Sequence, residues 1–275
     1  MLKSMITIRG NSIGLGYPKP LADRNTTSSA PRTRGVIKGM SRRALNNLMY
    51  RINSLPAMPT RFVVLNFHPD VPVDPLSVRN TIKLLGQRLV RRFTDSFTLW
   101  RLEFTKRGVP HIHTMGDFGF IPEPILTDWL FRAWSEIHGL DVTEPNNLVF
   151  VRIALDPETH KAVRYFCKFK KEDERGAWIY CEQYGHTGRC SGIFNRAKAN
   201  LAPVEWRFAS EVQRKEIEDL LVDSLEQRLV DINPGVNVPA RQAFIDKVAS
   251  GKDTCLHFQS PELIDKVRSI LGDAA

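Results

Sequence analysis

One stretch restricts this chain more than any other. "SFTLWRLEFTKRGVPHIHTMGDF" (96–118) holds two runs of alternating or β-branched and aromatic residues, separated by a short polar turn with a glycine. Such a pattern reads as a β-hairpin. If the turn "TKRGV" is centred on Arg107, cross-strand partners sum to 214. Glu103 then stands opposite His111, and Arg101 opposite His113. Side chains alternate across a strand, so Glu103, His111 and His113 share one face, and Trp100, Leu102, Phe104 and Ile112 share the other. The apolar face is expected to pack on helices. The polar face would bring two imidazoles and a carboxylate together, a set that can hold one divalent metal and leave open positions. A slip of one residue would break the cluster.

Flanking segments alternate between strand and helix. "SRRALNNLMYRINSL" (41–55), "DPLSVRNTIKLLGQRLVRRF" (74–93) and "ILTDWLFRAWSEIHGL" (125–140) have helical apolar spacing, the last ending at Gly139. "TRFVVLNFHPD" (60–70) and "NLVFVRIAL" (147–155) read as strands. Asp156-Pro157 is a good helix start for a segment running to about Lys171. Residues 178–195 read as further strand and loop. The expected fold is α+β: a central antiparallel sheet of about five strands flanked by helices, with a mostly helical C-terminal extension. The expected division is a basic flexible arm over 1–40, a core domain over 41–202 and a helical accessory segment over 203–275.

Charge supports that division. The net charge is +9, and residues 1–60 carry ten Lys/Arg against a single acid, Asp23. A basic arm on a nearly balanced domain suggests a polyanionic partner. Arg32, Arg34, Arg42 and Arg43 are expected to neutralise phosphates, with Arg101 and Arg107 of the hairpin as further phosphate contacts. No run approaches the roughly 18 apolar residues of a membrane helix, and the N-terminus lacks a signal peptide's apolar segment. A cytoplasmic protein with reduced thiols at its four cysteines is expected.

"HKAVRYFCKFKK" (160–171) places Tyr165 and Lys168 three apart, on one face of the expected helix. A phenol with a pKa of about 10 is a poor nucleophile at neutral pH; neighbouring positive charge and a metal-polarised phosphate would activate it.

Taken in order, "VVLNF" (63–67), "LEFTKRGVPHIH" (102–113), "YFCK" (165–168) and "GHTGRCSGIF" (185–194) resemble the HUH endonucleases. The likeness is greatest to the single-tyrosine rolling-circle replication initiator (Rep) proteins of filamentous-phage-like elements and small plasmids. It covers about residues 41–196, roughly half the chain. The resemblance implies a palm related to the RRM and ferredoxin-like arrangement. It implies Mg²⁺ or Mn²⁺ on His111, His113 and Glu103, and attack by Tyr165 on a scissile phosphodiester with help from Lys168. The products would be a free 3′-OH and a 5′-phosphotyrosine link, and a second transesterification would rejoin the strand. The implied partners are single-stranded or hairpin origin DNA and a host polymerase, in the cytoplasm of a bacterial host. The only Gly-Lys pair, Gly251-Lys252, has Asp246 where a nucleotide-binding loop needs glycine, so a separately encoded helicase is expected. Phe169 stands where two-tyrosine members carry a second nucleophile. A transposase or relaxase with the same chemistry, or a non-catalytic nucleic-acid-binding module, are the alternatives.

Overall fold

The computed structural model describes residues 4–16, 40, 42–68, 75–105, 108–119, 121–141, 149–153, 166–167, 189–230, 238–250, 254–257 and 259–272. The N-terminal elements are β1 (Ser4–Arg9), β2 (Ser12–Gly16) and α1 (Arg42–Asn53). Next come β3 (Arg61–Asn66), α2 (Pro75–Arg92), β4 (Phe97–Phe104), β5 (Pro110–Asp117), α3 (Glu123–His138), β6 (Val149–Ile153) and β7 (Ser191–Phe194). The C-terminal elements are β8 (Val204–Ala209), α4 (Glu211–Val230), α5 (Val238–Ala249), β9 (Thr254–Leu256) and α6 (Pro261–Ile270). The fold is α+β, in two compact units: Arg32–Asn200, and Met1–Pro31 together with Leu201–Ala275.

The first of these units is built on a five-stranded sheet in the order β6-β3-β5-β4-β7, with every neighbouring pair antiparallel. The β4–β5 hairpin closes at Gly108, whose positive φ of 81° and N–H bond to the Thr105 carbonyl make the tight turn. Its register pairs Arg101 with His113, Leu102 with Ile112 and Glu103 with His111. Trp100, Leu102, Phe104 and Ile112 are all buried, as the alternation requires.

Helices α2 and α3 cover that apolar face. Gly86 of α2 lets the Phe194 ring, stacked on Trp100, approach closely. Trp134 of α3 is fully buried, meets Phe67 edge-on and donates its indole N–H to the Asn66 carbonyl at 2.7 Å. Helix α3 ends where expected, at Gly139, which adopts the left-handed conformation (φ 67°) and returns its N–H to Glu136.

The other unit contains a four-stranded antiparallel sheet in the order β8-β1-β2-β9. This corrects one expectation. Residues 4–16 belong not to a flexible arm but to a hairpin, because Ile6, Ile8, Ile13 and Leu15 alternate and bury their side chains against Ile217, Leu221, Leu263 and Val267. The described part of 203–275 is mostly helical, as expected, and its strands β8 and β9 complete the same sheet. The rest of the expected arm, 17–39, lies outside the described residues. No helix among the described residues is long and apolar enough to cross a membrane.

Candidate metal centre

The hairpin register sets the site. Directly opposed residues of antiparallel strands share a face, so β3 adds to the row that β4 and β5 begin. Asn66, His111 and Glu103 form one row, and Val64, His113 and Arg101 the next. One oxygen of Glu103, Oε2, lies 3.6 Å from His111 Nε2 and 3.3 Å from His113 Nε2. The two imidazole rings are 4.7 Å apart, centre to centre. One ligand atom from each of the three residues falls within 4.8 Å of the other two.

Arg101 fixes the carboxylate from the opposite side. Its Nε is 2.8 Å from Glu103 Oε1, and its Nη1 donates to the Phe166 carbonyl at 2.9 Å. With Oε1 engaged, Oε2 is the oxygen that faces the histidines. Burial pushes the Glu103 carboxyl up. The His111 and His113 imidazoles turned toward it and the Arg101 charge outweigh burial and hold it well below the usual carboxylate range. It is therefore an anion at neutral pH, as a metal ligand must be.

The donor set fits a divalent cation. Two neutral-capable nitrogens and one carboxylate oxygen can hold Mg²⁺, Mn²⁺ or a related ion with positions left for a phosphate oxygen and water. His111 Nδ1 is buried without a hydrogen-bond partner among the described residues, so nothing locks the ring in a competing arrangement. Phe62 flanks the cluster, with its ring 5.5 Å from that of His113 and edge-on to Phe166 at 6.5 Å.

Of the other expected site residues, Tyr165, Lys168, Arg32, Arg34 and Arg107 lie outside the described residues, as do the side chains of Arg42 and Arg43, whose backbones open α1. Arg101 is a correction. Expected as a DNA contact, it is fully buried, and its guanidinium is taken up by Glu103 and Phe166. It positions the candidate ligand and cannot reach a phosphate in solvent. Two neighbours had no expected role: Asn66, in the row of His111, and Phe166, the residue after Tyr165. The β3–β5 register would have identified Asn66; nothing in the sequence marks Phe166.

Cys167 and Cys190 are buried. Burial pushes the Cys167 thiol up to about 12 against the opposing effect of Arg101, so it is a neutral thiol at neutral pH. Comparison with protein-family models, curated proteins and solved structures gives no match to this chain.

Proposed function

We propose that this protein nicks and rejoins single-stranded DNA through a covalent 5′-phosphotyrosine, as the initiator of rolling-circle replication. The observation that carries the reading is the Glu103–His111–His113 cluster, with Arg101 joining Glu103 to the Phe166 carbonyl. Phe166 directly follows Tyr165, so the segment bearing the proposed nucleophile is bonded beside the proposed metal ligands. Strand order adds support: β6-β3-β5-β4, with α2 after β3 and α3 after β5, is the strand-helix-strand-strand-helix-strand arrangement of a ferredoxin-like or RRM-like palm. Fold alone does not give function; the cluster is what favours phosphodiester chemistry.

Mg²⁺ or Mn²⁺ held by His111, His113 and Glu103 would draw charge from a phosphate oxygen. The chain's own residues do the rest. Arg101 keeps Glu103 anionic and aimed. The Tyr165 hydroxyl gives its proton to solvent and its oxygen bonds to phosphorus, while the bond from phosphorus to the 3′ oxygen breaks and that oxygen takes a proton from solvent to leave as the 3′-OH. Lys168 offsets negative charge on the phosphate or phenolate. The tyrosine ester conserves the phosphodiester bond, so rejoining needs no nucleotide cofactor. Origin DNA, a separate helicase and a host polymerase are the partners this chemistry calls for.

A denaturing gel tests the reading. The protein is mixed with a pool of single-stranded and hairpin DNA plus Mn²⁺, then boiled in detergent. A shifted band that disappears with EDTA and with Tyr165→Phe is expected. Cleavage with no shifted band would make water the nucleophile and overturn the Tyr165 assignment.

A further inference from the structure

The sheet of the second unit has two unlike faces. One carries Ile6, Ile8, Ile13 and Leu15 into the helix-covered core. The other presents large apolar side chains to solvent. Trp206 is 55% exposed and Phe208 64%, both on β8, two residues apart and therefore on the same side. Their cross-strand partners on that face are small or slender: Thr7 and then Gly14 beside Trp206, Met5 and then Gly16 beside Phe208. The aromatic rings thus stand beside a low floor. Arg9 lies on the same face, its guanidinium carbon 5.8 Å from the centre of the Trp206 ring.

Charge divides the same way. The carboxylates of the unit's described residues sit on its helices: Glu211, Glu216, Glu218, Asp219, Asp223 and Glu226 on α4, Asp246 on α5, Glu262 and Asp265 on α6. The sheet's one carboxylate, Glu205, alternates to the side opposite Trp206 and pairs with Arg268 of α6. The open face, among its described residues, carries a cation and no carboxylate.

We propose that this face binds single-stranded nucleic acid, with successive bases stacked on Trp206 and Phe208 and a phosphate drawn to Arg9. Every base has a flat face, so exposed rings on a strand accept bases without regard to sequence, and an arginine beside them supplies attraction for the backbone. Rings at i and i+2 are about 7 Å apart along a strand, so each can take its own base. A duplex keeps its bases stacked on each other and offers none to the rings. A basic or neutral apolar partner would gain nothing from the positive charge among the described residues of this face.

This face belongs to a different unit from the metal cluster, and the proposal does not rest on the nicking reading. The test uses the full chain in EDTA, so nothing is cleaved. A fluorescein-labelled oligo(dT) of about ten nucleotides, a length typical of single-domain sites, is titrated by anisotropy. A matched strand carrying 5-iodouracil is photocrosslinked and the attached peptide identified. Both aromatics are exposed, so Trp206→Ala and Phe208→Ala leave the core intact. Each is expected to weaken binding at least about fivefold, the lower bound for loss of one base stack, and Trp206→Phe is expected to retain most of the affinity. The crosslink is expected within 204–209, and duplex DNA is expected not to compete at equal concentration. An oligo(rU) arm reads whether the sugar matters. Unchanged affinity in the double alanine variant, or crosslinks confined to 32–200, overturns the proposal. So does a result in which the double variant only converts a dimer to a monomer on sizing, because the face would then be a contact between copies. Adduct formation through Tyr165 can succeed or fail whichever way this test falls.

Discussion

Glu103 and His111 face each other across the β4–β5 ladder, with Oε2 3.6 Å from Nε2. That pairing places a carboxylate beside two imidazoles on the polar side of a sheet whose other side is packed with Trp100, Leu102 and Ile112. A carboxylate held anionic beside two imidazoles is a pair of opposite tendencies that a cation resolves, since it takes both kinds of donor at once.

Mn²⁺ should therefore stabilise the protein. A ligand that binds only the folded state adds about 2.7 kcal/mol at a hundredfold excess over its Kd, equivalent to a rise in Tm of several degrees. Differential scanning fluorimetry with and without Mn²⁺ is expected to show that rise in the wild type and to lose it in His113→Ala and Glu103→Gln. Equal shifts in all three proteins would place the ion elsewhere.

Arg101 should be a stability residue first. It is fully buried and bonds both Glu103 Oε1 and the Phe166 carbonyl. Arg101→Met takes the cation away from Glu103 Oε1 and from the Phe166 carbonyl, and losing one side of a buried charged pair costs about 3 kcal/mol or more. Urea unfolding should show a markedly lower midpoint. Arg101→Lys should recover little, because an ammonium is a point charge and cannot span both acceptors as the planar guanidinium does. A midpoint unchanged in Arg101→Met would mean that the pair contributes nothing net.

The hairpin was legible because its alternation leaves one register that buries Trp100, Leu102, Phe104 and Ile112 together, and Glu103 opposite His111 follows from it. Helix α3 was legible to its last residue through Gly139. The second sheet was not, since β1 pairs with β8 from the far end of the chain, Ile6 opposite Arg207, and local pattern carries no information about that pairing. Within 4–16 the alternation of Ile6, Ile8, Ile13 and Leu15 is present, but it is short and runs into a stretch rich in Pro, Ser, Thr and Arg. Strand β8 misleads further, as its largest residues, Trp206 and Phe208, face solvent. The burial of Arg101 was not legible either. A guanidinium on the polar side of a hairpin reads as a surface cation until Phe166 is known to cover it.

Gly86 gives a test of packing between α2 and β7. A methyl at this position would come within 2.5 Å of the Phe194 ring. Alanine gains about 1 kcal/mol of helix propensity over glycine, but overpacking typically costs 1–3 kcal/mol. Gly86→Ala should lose stability, while the same change in a Phe194→Leu background should gain it. Thermal or urea unfolding of the four proteins in a double-mutant cycle reads the sign change. Additive effects would mean that the ring moves aside without cost.

His138 should make stability depend on pH above the carboxylate range. Its ring lies 4.9 Å from Phe67 and 4.6 Å from Trp134, and burial, with a smaller effect of the His68 charge, pulls its pKa down to about 4. The unfolded chain has an ordinary histidine pKa of about 6.5, so between that value and about 4 the unfolded state binds the proton and the folded state does not. Stability then falls as pH drops through this window, and the loss is complete below it. His257 of the other unit, also lowered to about 4 by burial, acts in the same direction. Glu103 does not contribute until the pH reaches the ordinary carboxylate range, because its pKa is shifted down and its stabilisation is lost only on further acidification. A comparison of urea midpoints at pH 7 and pH 5 therefore isolates the histidines. His138→Phe keeps the ring contacts and removes the proton site, so its midpoint should fall less between the two pH values than that of the wild type. Equal falls would mean that His138 takes up its proton in the folded protein as readily as in the unfolded chain.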